Sequence, residues 1–310
     1  MYKRFFGLKE NPFNVNPDPR YLFLTRHAEE ALACLTYGVG NRKGFTLLTG
    51  EVGTGKTTLL NKLLDHLHRQ RVSTAFVFNP RLSVSQFLDF MMADFGIPYD
   101  GLSPRTAKSQ ILLRLNQWLL ERYRAGETAV LIIDEAQNLT PQVLEEIRLL
   151  TNLETSTEKL LQIILCGQPE LELKLNQAGL RQLRQRITLR CKTHALTQEE
   201  TEGYVAERMR IAGAVDPGIF SPETLERVHY YSRGIPRIIN LLCEHALISG
   251  YVDQNKVISC ETIENVAREF QLHEVDPIAQ PIQDGNGENL RLMEALQNLV
   301  AVVGQIRTRQ

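Results

Sequence analysis

Apolar positions along the chain follow two alternating rhythms. Short unbroken runs at Phe45–Thr49, Thr74–Phe78, Val130–Ile133, Leu161–Cys166 and, more weakly, Ile187–Leu189 predict buried strands of one sheet. Between them the spacing turns helical: after Gly55, the leucines at 59, 60, 63, 64 and 67 keep to one face. Ser103 before Pro104 and Thr140 before Pro141 each pair a capping hydroxyl with a residue suited to a first turn. Strand, crossover helix, strand predicts an α/β fold with a five-stranded, mostly parallel sheet covered on both faces.

Near residue 195 the strand signals stop. Thr197 with Glu200 forms a capping box, Ser221–Pro222 opens another helix, and Gly234 and Pro236 mark a break before Arg237–Ser249. A small all-helical domain is expected over 196–270. The stretch 271–288, rich in Pro, Asp, Gln, Asn and Gly, reads as a flexible linker. In 289–310, Leu292, Leu296, Leu299, Val303 and Ile306 alternate steps of four and three, which predicts an amphipathic tail helix too short for a stable coiled coil by itself. No internal repeat is evident.

With 43% apolar and 23% charged residues, the 310-residue chain excludes collagenous, disordered and disulfide-scaffold classes. Uninterrupted apolar stretches such as Ala129–Ile133 and Leu299–Val303 fall far short of the roughly 20 residues that cross a bilayer, so no transmembrane segment is expected. The start, MYKRFFGLKENPF, has no sustained apolar run, so a secretory signal is not expected and the cytoplasm is. Five scattered cysteines suggest buried thiols rather than a zinc knuckle. A formal charge of -1 gives no global attraction to nucleic acid or anionic membranes, and any such contact would need a local patch.

The chemistry begins at GEVGTGKT, Gly50 to Thr57, which satisfies G-x-x-x-x-G-K-[ST] directly after a predicted strand and at the opening of a predicted helix. Glycines let successive backbone N–H groups curl around phosphates, and the helix start adds a favourable field. Gly50, Glu51, Val52, Gly53, Thr54, Gly55, Lys56, Thr57 and Thr58 are therefore the expected nucleotide cradle. Lys56 would supply charge to the β- and γ-phosphates, and Thr57 a hydroxyl to Mg²⁺. AVLIIDEAQ ends a second apolar strand in two carboxylates. Asp134, at the carboxyl edge of that strand, suits the Mg²⁺ shell, and Glu135 is placed to orient or deprotonate a water attacking the γ-phosphate. The adjacent Glu points away from nucleotide kinases and switch GTPases.

Together FFGLKENPFNVNPDPRYLFLT, GFTLLTGEVGTGKTTLL, LIIDEAQNL, ILCGQPEL, LRQLRQRI and GIPRIINLLC resemble the AAA+ ATPases, and within them the ExeA/GspA-type group associated with secretion, pilus and exopolysaccharide systems. The resemblance covers residues 1 to about 270. It implies an adenine-side segment over 1–44, with Phe13, Tyr21 and the backbone of Leu22 to Leu24 as candidate contacts, a core over 45–195 and a helical lid over 196–270. Gln168 falls at the sensor 1 position, where many relatives carry Asn or Thr. Arg184 and Arg186 fall at the arginine finger that reaches a neighbouring subunit's γ-phosphate, Arg186 matching better. Arg237 in GIPR falls at sensor 2.

The implied function is hydrolysis of ATP with Mg²⁺ in a homo-oligomer with the finger acting in trans, serving a secretion, pilus or exopolysaccharide export system. Members of the group often continue into a membrane segment and a peptidoglycan-binding domain. Because the sequence ends at Gln310, contact with the envelope or the inner membrane is expected through a partner, by way of the terminal helix. A DNA-associated ATPase such as a transposition regulator is the alternative; Arg181, Arg184, Arg186 and Arg190 are its only support and the near-neutral charge weighs against it. A nucleotide-switched, non-hydrolysing scaffold is a third reading, opposed by the intact Glu135.

Overall fold

The structure, a computed structural model, describes residues 2–68, 70–78, 82–98 and 108–272. The expected Ser103–Pro104 cap, nearly all of the 271–288 linker and the tail helix over 289–310 lie outside the described residues. The chain forms two compact units, 1–266 and 267–310. Of the second, the described part closes a helix, with Leu272 N–H donating to the Ala267 carbonyl.

In the first unit a short helix α1 (Tyr2–Phe5) and a single turn at Pro19–Tyr21 precede α2 (Arg26–Gly40), which is capped by the Thr25 hydroxyl. Then β1 (Phe45–Thr49), α3 (Lys56–Leu67), β2 (Val72–Val77), α4 (Val84–Asp94), α5 (Lys108–Arg124), β3 (Thr128–Ile133), α6 (Pro141–Leu150), β4 (Leu161–Gly167), α7 (Pro169–Leu175), α8 (Arg181–Arg186) and β5 (Leu189–Lys192) alternate as the apolar rhythm predicts. The strands form one parallel sheet in the order β2-β3-β4-β1-β5.

Side-chain alternation divides the core between the two faces. Phe45, Leu47, Leu131, Ile133, Ile163 and Leu165 pack on the side of α4 to α8. Leu48, Val130, Ile132, Ile164 and Cys166 pack on the side of α2 and α3, against Leu35, Leu59, Leu60 and Leu63. Central strands buried on both faces read as continuous apolar runs for this reason.

The fifth strand differs from the expected Ile187–Leu189: Ile187 caps α8 and the strand is Leu189–Lys192. It lies at the sheet edge with Arg190 and Lys192 outward and Cys191 buried, so alternation replaced the apolar run.

The helical part consists of α9 (Gln198–Ile211), α10 (Pro222–Ser232), α11 (Pro236–Val252) and α12 (Cys260–Glu269). Thr197 and Glu200 make the expected reciprocal capping box on α9, and Ser221 caps α10. Gly234, at φ 72°, is indispensable to the joint before α11, because a Cβ there would lie 1.9 Å from the Leu196 carbonyl oxygen.

Candidate nucleotide-binding site

Register decides where the site lies. Thr49 pairs with both Gly167 and Lys192, and Ile133 with Leu165, so the segments starting at Gly50, Asp134, Gln168 and Thr193 all leave the sheet at its carboxyl edge. Ladder bonds run one residue further: Gly50 N–H to the Gly167 carbonyl (3.2 Å), Asp134 N–H to Val77 (3.1 Å) and Thr193 N–H to Thr49 (2.9 Å). Four chemically equipped segments are thus brought to one rim by pairing alone, where open α/β sheets bind ligands.

The glycine loop needs its glycines for distinct reasons. Gly53 and Gly55 have φ of 81° and 90°, a region L side chains enter at a cost of about 1–2 kcal/mol. Gly50 has no room: a Cβ would fall 2.0 Å from the Thr193 hydroxyl, which is itself 2.7 Å from the Thr54 hydroxyl. Glu172 on α7 accepts from the Thr49 hydroxyl at 2.6 Å and pairs with Lys192 at 3.1 Å, which fixes the point where the loop departs. Burial alone would raise the Glu172 carboxyl, but the Thr49 and Lys192 hydrogen bonds outweigh it and hold it below its ordinary value.

Lys56 is 6% exposed, and its ammonium donates to the Gly50 and Glu51 carbonyls at 2.8 Å each. Thr57 donates its hydroxyl to Asp134 Oδ2 at 2.8 Å. This pair of hard oxygens, one from the helix start and one from the strand end, is the donor set that suits Mg²⁺, which keeps most of its shell for water and phosphate. No group of three or more His, Cys, Asp or Glu side chains that could hold a metal occurs among the described residues. Cys166 lies beside Asp134; burial first, then that carboxylate, push its thiol well above the ordinary value.

Glu135 has a left-handed backbone, φ 52° and ψ 36°, unusual for a non-glycine residue. Its carboxylate accepts from Gln137 Nε2 at 2.6 Å and from Gln168 Nε2 at 3.2 Å, while its N–H donates to Asp134 Oδ1 at 2.8 Å. Gln137 also accepts from the Gln168 N–H at 3.1 Å. The two amides aim the carboxylate and over-determine a strained backbone.

Beside this rim lies a cleft of about 350 Å³ lined by the loop, Glu135, Thr193 and His194, by Asn14 to Asp18 and Tyr21 to Phe23, and by Tyr204, Arg208, Pro236, Arg237 and Asn240 of the helical part. Arg237 lies on the cleft wall, and its N–H donates to the Gly53 carbonyl at 3.2 Å. Glu51 and Val52 are exposed at the loop tip, and Thr58 faces the cleft.

Some expected residues lie elsewhere. Arg186 ends α8 on the exposed surface, away from this cleft, and Arg184 is exposed and bonded to Asn176 Oδ1 at 2.9 Å. Phe13 is not on the cleft wall: it is 1% exposed and meets Phe220 edge-on, so it is a core residue. Tyr21 and Leu22 do line the cleft. Reasoning from sequence missed Gln137, Glu172, Thr193, Tyr204, Arg208 and Asn240. Of these, Gln137 stands inside the DEAQNL run and Asn240 inside GIPRIINLLC; the others are joined to the site by long-range pairing.

A family model described as an AAA domain matches residues 39–175. Over 252 residues the chain is 46% identical to the general secretion pathway protein A of Aeromonas hydrophila, spanning 81% of this chain but 45% of that relative. The Aeropyrum pernix ORC2 protein, solved as ADPNP–ADP complexes, shares the fold at a TM-score of 0.63 and 18% identity, over 84% of this chain and 72% of its own. Drosophila ORC bound to DNA aligns at a TM-score of 0.63 and 17% identity, over 84% of this chain and 64% of its own. At such identities these two structures speak for the fold alone. Sheet order, glycine loop, paired carboxylates, the AAA domain match and the relative at 46% identity agree: the chain is similar to the nucleotide-binding AAA+ ATPases, and within them to general secretion pathway protein A, of whose length it spans about half.

Proposed function

We propose that this chain hydrolyses ATP in the cleft between the glycine loop and the helical lid, and uses the reaction to change its shape within an oligomer. The observation that carries the reading is the convergence of the Lys56 ammonium, the Thr57–Asp134 pair and a Glu135 carboxylate held by two amides on one sheet edge. Lys56 exchanges its loop carbonyls for β- and γ-phosphate oxygens. Bound Mg²⁺, held on the Thr57 and Asp134 side, would supply charge neutralisation at the phosphates. Glu135 takes a proton from the attacking water as its oxygen bonds the γ-phosphorus and the bond to the β-phosphate oxygen breaks, leaving ADP and phosphate. Gln168, which donates to Glu135 at 3.2 Å, would bridge the γ-phosphate and the attacking water, and Arg237 would reach the phosphates from the lid.

Arg186, exposed on α8, acts on the γ-phosphate of an adjacent subunit rather than of its own. The core over 45–195 and the lid over 196–270 would move against each other as the γ-phosphate leaves. The name of the Aeromonas hydrophila relative, general secretion pathway protein A, supports a role in secretion; contact with a cell-envelope partner is part of the proposal. No helix among the described residues is long and apolar enough to cross a membrane. The DNA-associated reading is not favoured, since it has the exposed arginines of 181–190 and little else.

The test is Glu135→Gln, measured by calorimetry with ATP and magnesium and by phosphate release. Binding should persist while turnover falls by about 10²- to 10⁴-fold, the range for a lost general base. Unchanged turnover would remove hydrolysis at this site, and no binding by the unaltered protein would remove the nucleotide reading altogether.

A further inference from the structure

One buried cation of the cleft has no place in the account above. Arg208, on α9, is 6% exposed and lines the cleft, yet makes no ion pair with a carboxylate among the described residues. Its guanidinium is spent on the chain that passes over it. Nε donates to the Pro12 carbonyl at 2.6 Å and Nη2 to the Asn14 carbonyl at 3.3 Å, and the group lies 4.6 Å over the Tyr21 ring. Those three residues belong to the strap that forms one wall of the cleft.

On its other side Nη1 donates to the Tyr204 hydroxyl at 2.5 Å, and Tyr204 donates onward to Asn240 Oδ1 at 2.9 Å. Asn240 stands on α11 three residues after Arg237, on the same face, and lines the same cleft. Arg237 N–H in turn holds the Gly53 carbonyl. The hydrogen-bonded path therefore runs from the strap through α9 to Asn240, and one turn of α11 connects Asn240 to Arg237, whose N–H meets the phosphate loop. Close packing reinforces it: Phe23 of the strap meets the Tyr204 ring edge-on at 6.0 Å, and a Cβ on Gly203 would lie 3.0 Å from Phe23 Cζ.

Burying a cation without a carboxylate in contact is costly unless its donors are well used. Here they are used on backbone carbonyls of a segment that is otherwise irregular. A planar fork can span two carbonyls and a hydroxyl at once; a lysine ammonium can serve as a point charge only.

We propose that Arg208 is a positioning residue that locks the strap to the lid, so that a nucleotide entering the cleft meets a wall whose position is set jointly with that of Arg237. The inference rests on the ATP reading of the cleft. It assigns Arg208 to ligand binding rather than to the chemical step, because its partners lie on the strap and lid and not at Glu135.

Arg208→Lys keeps the charge and loses the fork. It should raise the KM for ATP at least tenfold and change kcat less than threefold. Tyr204→Phe keeps the ring, removes only the relaying hydroxyl, and should weaken ATP binding at least threefold by calorimetry. In a cycle with Asn240→Ala, Arg208→Lys should be non-additive, since both break one path. Arg227→Lys, exposed and 3.6 Å from Glu264, serves as the surface control and should leave binding unchanged. If Arg208→Lys and Tyr204→Phe lower the melting temperature but bind ATP as the unaltered protein does, Arg208 is structural and the proposal is overturned. Strict additivity with Asn240→Ala overturns the path to α11. Failure of the unaltered protein to bind ATP would instead sink the functional reading.

Discussion

Two glycines two residues apart separate the backbone demand of the phosphate loop from its contact with the lid. Gly53 and Gly55 both have left-handed φ, 81° and 90°, but an added Cβ at Gly55 meets nothing within 4 Å. At Gly53 it would lie 2.7 Å from Arg237 Cβ and 3.0 Å from Ile235 Cγ2. Alanine at either position carries the same left-handed strain, about 1–2 kcal/mol, and the same gain of about 0.4–1 kcal/mol from a stiffer unfolded chain. These terms cancel in the comparison. The excess at Gly53 is the collision with an atom fixed to the α11 backbone, which sits in the range of about 1–3 kcal/mol for overpacking. The stretched Arg237 N–H to Gly53 bond adds about 0.5–1.5 kcal/mol. The sum, about 1.5–4.5 kcal/mol, corresponds to a melting temperature lower by roughly 3–18 °C for Gly53→Ala than for Gly55→Ala, at about 2–4 °C per kcal/mol. Differential scanning calorimetry without nucleotide measures this directly. Equal shifts for the two variants would mean that α11 does not bear on the loop in solution, and the lid contact would lose its place in the account.

Two further outcomes follow from the same geometry. His229 bonds the Thr201 hydroxyl at 2.9 Å across α9 and α10, and burial depresses its pKa below the ordinary 6.5, opposed by Glu202. A depressed folded-state value means stability is full above pH 6.5 and is lost as the pH falls through the folded-state value; His229→Gln should flatten that part of a melting-temperature profile, and an unchanged slope would assign it elsewhere. Mixing Lys56→Ala with Arg186→Ala subunits should restore ATP turnover that neither has alone, and no recovery at any ratio would remove Arg186 from the neighbour's site.

What was legible in the sequence follows the range of the interactions involved. β1, β3 and β4 are buried on both faces, so each reads as an apolar run, and the glycine loop is a local conformational demand written into eight consecutive residues. The Thr140, Thr197 and Ser221 caps were readable for the same reason, each acting within three residues. β5 was misplaced because an edge strand shows one buried side chain among exposed ones. The second tier of the site was hidden by distance along the chain: Gln137 reaches Gln168 across 31 residues, Thr54 reaches Thr193 across 139, and Arg208 reaches Asn14 across 194. No local pattern encodes such pairs. Phe13 shows the opposite error, where an aromatic residue near a ligand site was read as a contact although its ring belongs to the core.

The hydrogen bonds of Lys56 bear on how tightly such a loop can hold its ligand. Its ammonium already donates to two loop carbonyls, and a hydrogen bond involving a charged group is worth about 1.5–3 kcal/mol. A phosphate oxygen must therefore displace partners rather than meet a free cation, and the net gain is the difference between an anionic and a neutral acceptor. That difference is largest where several N–H groups and the helix start add their fields to the same point, as at Gly53 to Thr57. In such an exchange the loop would keep its curvature, because its departure point is tied to Glu172 through Thr49 and its flank to Thr193 through Thr54, neither of which uses Lys56. On the proposed reading, specificity for a multiply charged phosphate chain would come from geometry held by neighbouring residues, with Lys56 supplying the charge that makes the exchange worthwhile.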